Sequence, residues 1–107
     1  NMELKEIQKQ VSETFLQYLE NDKIALDDDY LMLKIGEEVG ELMQSYLIYK
    51  KRCRQEKYLS EEDAKKNFAK ELADVIGLVF SIATVMDVDL DEAINKKWIS
   101  KEWLKRK

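Results

Sequence analysis

The sequence contains no histidine, no proline, one cysteine and only three glycines in 107 residues. Each scarcity removes a class of answer. Without histidine there is no Ser/His/Asp set and no His partner for Cys53. The Glu-x-x-His helix pairs of di-iron carboxylate bundles are excluded for the same reason. A lone Cys53 permits no intrachain disulfide, which fits a reducing cytoplasm better than secretion. A β-rich domain needs many glycines and prolines for its turns, so their scarcity predicts long helices and few tight turns. No glycine-rich phosphate loop is present. The longest nearly apolar stretch, Val75 to Met86, falls short of the about 20 residues that span a bilayer. No cleavable signal sequence opens the chain, so neither a membrane partner nor export is expected.

Apolar residues make up 45% of the chain and charged residues 37%, enough for a core and a soluble surface. The length predicts one domain, residues 1–107. A domain this small buries only about 60–65% of the surface its unfolded chain exposes, so association with another copy is a common remedy. The net charge of −4 argues against a nucleic-acid binder, which carries a basic excess to displace counterions. It still allows a small phosphorylated ligand held by a metal or a few lysines.

Hydrophobic spacing predicts four helices. The first runs from about Glu3 to Glu20, with Leu4, Ile7, Val11, Phe15 and Tyr18 on one face. The second begins near Asp28 or Asp29 and continues to about Arg54, closed by Lys50, Lys51, Arg52 and Arg54 as cations at the negative end of the helix dipole. The third is capped by Ser60, opens with Glu61, Glu62 and Asp63, and runs to about Met86. Asp89, with Glu92 three residues on, caps the last helix, which turns Leu90, Ala93, Ile94 and Trp98 inward and reaches Lys105, Arg106 and Lys107. Short links between four helices predict an all-α, antiparallel four-helix bundle-like domain.

The chemistry is expected on two acidic motifs. Projected at about 100° per residue, the third helix is apolar around most of its circumference from Leu72 to Met86. The column through Asp74 continues as Leu78 and Val85, with Glu71 one turn back. Carboxylates in such surroundings need cations, because an unpaired buried charge costs several kcal/mol. On the second helix Glu37, Glu38 and Glu41 share one arc, and Glu38 borders the stripe of Leu31, Ile35, Leu42 and Tyr49. If these helices are antiparallel neighbours, Glu38, Glu41, Glu71 and Asp74 meet. Four carboxylates without histidine make an all-oxygen site, suited to Mg²⁺ or Mn²⁺ rather than Zn²⁺. Glu-x-x-Glu also occurs on ordinary solvated faces; Glu71-x-x-Asp74 inside an apolar run is the more telling half.

At these residues, Glu37-Glu38-Val39-Gly40-Glu41-Leu42 and Glu71-Leu72-Ala73-Asp74-Val75, the sequence resembles the MazG-type all-α nucleoside triphosphate pyrophosphohydrolases. The resemblance extends over about residues 31–97, including Val88-Asp89-Leu90 and Lys97. It implies that Glu38, Glu41, Glu71 and Asp74 hold magnesium, and that a nucleotide substrate is cleaved to a monophosphate and pyrophosphate. It also implies a phosphate contact from Lys97 and assembly as a homodimer or homotetramer. Glu37 would accept the proton of the attacking water or act from beside the metal ligands. Lys34 would either reach phosphate or offset the acids. The link from Leu42 to Lys70 is slightly longer than usual for the family. Lys101 and Leu104 stand where members often carry Asn and Arg, and Ile48 and Leu78 stand where some relatives cradle a base with aromatic residues. Two other readings remain open: hydrolysis of phosphoribosyl-ATP, and a non-catalytic helical interaction domain whose acids are surface charge.

Overall fold

The computed structural model describes residues 2–105, the side chain of residue 28 apart, and every regular element among them is helical. Three long helices dominate: α1, Leu4–Asn21, α2, Asp28–Tyr49, and α3, Glu61–Val85. The expected starts hold to within a residue, and two of them carry a side-chain cap. Asp27 accepts the Tyr30 amide at 2.7 Å, and Ser60 accepts that of Asp63 at 3.1 Å. Each satisfies one of the donors that a helix start leaves free.

All three helices stop in the same manner. A residue in the left-handed region follows the C-cap: Lys23 after α1, Lys51 after α2 and Asp87 after α3, with φ of 56°, 56° and 54°. The next amide then reaches back to a carbonyl in the last turn, from Ile24 to Leu19, Arg52 to Leu47 and Val88 to Ala83, at 2.8–2.9 Å. These are Schellman closures, a place where glycine is the usual residue. The second helix therefore ends at Tyr49, five residues before the expected Arg54, and Lys51, Arg52 and Arg54 lie beyond it. Instead of facing the helix end, Lys51 sits 4.9 Å from the Tyr58 ring centroid and Arg54 pairs with Glu56 at 3.4 Å.

α3 is the central helix. It packs most extensively on α2 and less so on α1. Glu38 lies beside Glu71 and Asp74, and Tyr46 beside Phe68 with ring centroids 6.1 Å apart, so α2 and α3 run antiparallel. Gln8 and Ser12 meet Thr84, and Val11 meets Gly77, so α1 is antiparallel to α3 as well. α1 and α2 are consequently parallel to each other, and residues 22–27 return the chain along the bundle. Buried serines sit where the helices approach. Ser12 reaches the Phe80 carbonyl and Thr84, while Ser45 and Ser81 bond back to the Leu42 and Gly77 carbonyls. Each hydroxyl thereby meets a main-chain carbonyl, and Ser12 the short Thr84 side chain as well.

The expected fourth helix is different. Asp89 does cap it, accepting the Glu92 amide at 3.0 Å, but α4 is only Leu90–Ile94. A wider π turn, Asn95–Ile99, follows, closed by the Ser100 amide on the Asn95 carbonyl. Lys101 turns left-handed and a 3₁₀ turn covers Glu102–Lys105. Trp98, expected inward, is 62% exposed. The wider turn rotates the face on which Trp98 stands, and its ring meets Trp103 edge-on at 6.2 Å. This segment contacts itself more than it contacts α1–α3. The described fold is thus three long helices with a short helical arm. Arg106 and Lys107, expected to end the last helix, lie outside the described residues.

Candidate metal centre

The two acidic motifs face each other across the α2–α3 contact. Glu38, Glu71 and Asp74 each offer an oxygen within 4.8 Å of the others, and Glu37, Glu38 and Glu41 do the same on α2. Glu38 belongs to both groups and joins them. The helical period explains the arrangement, because spacings of three and four return to one face.

Burial grades the acids. Glu38 is 9% exposed and Glu71 8%, while Glu37 and Glu41 are exposed and Asp74 is half-buried. The expectation that Glu71 and Asp74 both point into apolar surroundings holds fully for Glu71 alone, since the Asp74 side chain keeps 44% of its surface. Leu78, one turn beyond Asp74, is buried as expected.

Two lysines answer part of the charge. Lys34 bonds Glu37 and stands 3.9 Å from Glu38, and Glu37 raises its pKa through that hydrogen bond. Lys34 thus carries a positive charge beside both acids. Lys70 bonds Glu71 Oε1 at 2.9 Å and approaches Asp74 Oδ2 at 3.6 Å; Glu71 raises its pKa in turn. Sequence reasoning passed over Lys70, although its i, i+4 spacing to Asp74 is a legible cue.

The compensation is incomplete. Glu38 Oε2 and Glu71 Oε2 are buried without a hydrogen-bond partner among the described residues. Burial first, then the hydrogen bond and charge of Glu41, then Asp74, push the Glu38 carboxyl up to about 7, against the opposing pull of Lys34. Buried polar atoms without partners are uncommon in native folds, and an ion or an ordered water is what usually meets them. The donor set fits a hard divalent cation: all oxygen, anionic, contributed by two helices.

Beside the acids lies a cleft of about 630 Å³ between α1 and the α2–α3 pair. Lys34, Glu38 and Asp74 line one side, Phe15 and Tyr18 of α1 the other. The two rings stack with centroids 6.2 Å apart at 26°. Both were expected on the core face of the first helix, yet Tyr18 is 46% exposed. Ile48, one of the two positions read as base-cradling, is not among the residues lining this cleft, whereas Leu78 is. Lys97, the expected phosphate contact, does not line it either; its ammonium stands 4.4 Å from the Trp103 centroid and 5.8 Å from that of Trp98. No helix among the described residues is long and apolar enough to cross a membrane. No family model, curated protein or solved structure matches the chain.

Proposed function

We propose that this chain is a magnesium-dependent nucleotide pyrophosphohydrolase, cleaving nucleoside or deoxynucleoside triphosphates between the α and β phosphates. The observation that carries the reading is the pair of unpartnered oxygens, Glu38 Oε2 and Glu71 Oε2, buried beside Asp74. The resemblance supplies the reaction, and a cleft with an aromatic wall next to the acids has the form a nucleotide needs.

In this reading Glu38, Glu41, Glu71 and Asp74 hold the cation, with Mn²⁺ as a substitute. When bound, it supplies charge for the phosphate oxygens and lowers the pKa of an attacking water. The chain's residues do the rest. Glu37 is open to solvent and paired with Lys34, and in this reading its carboxylate takes up the proton of that water. Lys34 and Lys70 keep the acids from repelling one another before substrate arrives. Phe15 and Tyr18 offer ring faces to a planar base, which any base can stack on. Lys97 enters through the resemblance alone. The same reading has the chain working as a homodimer or homotetramer in the cytoplasm.

The test is pyrophosphate release from a panel of nucleoside triphosphates and phosphoribosyl-ATP, with and without Mg²⁺. Release that needs Mg²⁺ and disappears in Asp74→Asn is expected. Release from phosphoribosyl-ATP alone would move the substrate. No turnover of any compound, with a melting temperature indifferent to Mg²⁺, would leave a non-catalytic helical interaction domain.

A further inference from the structure

We infer that the short helical arm after α3 docks on an anionic lipid surface, with Trp98, Ile99, Trp103 and Leu104 entering it and the neighbouring lysines holding it. Charge is divided sharply along this chain. Residues 95–107 carry six lysine or arginine side chains and one acid, a net +5. Residues 1–94 carry twelve basic side chains and 21 acidic ones, a net −9. The whole-chain value of −4 hides that division. A basic segment attached to an acidic body marks a place suited to a negatively charged partner.

The apolar side chains of the arm are as open as its lysines. Ile99 is 65% exposed and Leu104 59%, and the segment packs on itself rather than on α1–α3. The indole N–H of Trp103 already donates to the Lys97 carbonyl, so that ring enters an apolar medium without losing a donor to water. The Lys97 ammonium lies against both rings, and its long stem lets the charge stay among headgroups while the rings go deeper. Lipid is favoured over a single-stranded nucleic acid, the other common polyanion. Ile99 and Leu104 offer no ring face for a base to stack on, whereas acyl chains accept them as readily as tryptophan. Lying on a surface also needs no spanning helix, and none is present among the described residues.

The rest of the chain tolerates this docking. Lys96 pairs with Glu92 at 3.1 Å, but Lys97, Lys101 and Lys105 have no acidic partner among the described residues. Along α3, Glu71 and Asp74 stand about 16–21 Å from the helix end at Val85, where the chain leaves for the arm. That is beyond the about 8 Å over which charge acts at physiological salt, so a negative surface at the arm does not repel them.

None of this depends on whether the acids hydrolyse nucleotides, and the readout is separate from pyrophosphate release. Both tryptophans of the chain are in the arm, so their fluorescence reports on this segment alone. Vesicles of phosphatidylcholine with about one-third phosphatidylserine should move the emission to the blue and carry the chain with them in flotation. Pure phosphatidylcholine should do neither. Lys101→Glu combined with Lys105→Glu, and separately Ile99→Ser combined with Leu104→Ser, should each weaken binding at least about ten-fold while keeping the helical circular dichroism. No shift with the anionic vesicles, or an equal shift with phosphatidylcholine alone, overturns the inference. So does a blue shift on concentrating the chain without lipid, which would give the arm to a second copy. Binding of a single-stranded oligonucleotide where vesicles do nothing overturns it as well.

Discussion

Glu38 on α2 and Glu71 on α3 each bury a carboxylate oxygen that finds no hydrogen-bond donor among the described residues, and the two groups lie close enough to share an ion. Lys70 serves only the other oxygen of Glu71, and Lys34 stands at the limit of ion-pair distance from Glu38. Both acids therefore weaken the metal-free fold while making it receptive to a cation.

Glu38→Gln separates those effects. The amide removes a buried charge that repels Glu41 and Asp74, and can donate to their oxygens. Without metal the variant should be more stable by about 1 kcal/mol, a rise of roughly 4–8 °C in melting temperature for a domain near this size. The stabilisation by Mg²⁺ seen in wild type should vanish. Thermal melts with and without Mg²⁺ check both signs, and a less stable metal-free variant would contradict the account.

The raised pKa of Glu38 sets a pH dependence. Its folded value, about 7, lies above the ordinary 4.5. Between those values the folded state keeps a proton that the unfolded state has lost. The contribution of Glu38 to metal-free stability is thus greatest at low pH and falls as pH rises through that window. Cation binding needs the ionised carboxylate, so affinity for Mg²⁺ should climb over the same window and level off above it. Mg²⁺ titrations followed by melting at about pH 5.5 and about pH 8 read the effect. Equal Mg²⁺ shifts at both would count against Glu38 as a ligand.

Asp74→Asn should do the reverse of a core substitution. Its side chain keeps much of its exposure, so the metal-free stability should change by no more than about 0.5 kcal/mol. Mg²⁺-dependent pyrophosphate release should nevertheless be lost. Denaturant unfolding alongside the nucleotide assay distinguishes a lost ligand from a damaged fold.

Lys51→Gly tests the helix ends. The left-handed conformation costs a residue with a Cβ about 1 kcal/mol, which glycine avoids. The side chain also gives up its contact with Tyr58, worth about 0.5 kcal/mol at an exposed site. A net gain of about 0.5 kcal/mol in urea unfolding is expected.

Asp27 as the cap of α2 was passed over, whereas the three long helices and the caps at Ser60 and Asp89 were legible because spacing and Ser or Asp side chains are local signals. The Schellman ends were not, since Lys23, Lys51 and Asp87 stand where glycine would have announced them. Trp98 was misplaced because a helix period was carried through Asn95–Ile99, where the backbone widens. The meeting of Glu38 with Glu71 and Asp74 could be anticipated once α2 and α3 were taken as antiparallel neighbours. Phe15 and Tyr18 could not, because the same apolar stripe describes a core face and a cleft wall. Only the path of residues 22–27, which lays α1 parallel to α2, decides between them.

That path also sets an order of assembly. The contacts of α2 with α3 join residues nearer in sequence than those of α1 with α3 do, so Glu38 meets Glu71 and Asp74 as soon as this hairpin forms. α1 must be brought back along the bundle before it can dock. If the α2–α3 hairpin forms first, it should feel the repulsion among these acids before α1 docks. A divalent cation should speed folding as well as slow unfolding, and the aromatic wall should be the last part of the cleft to arrive.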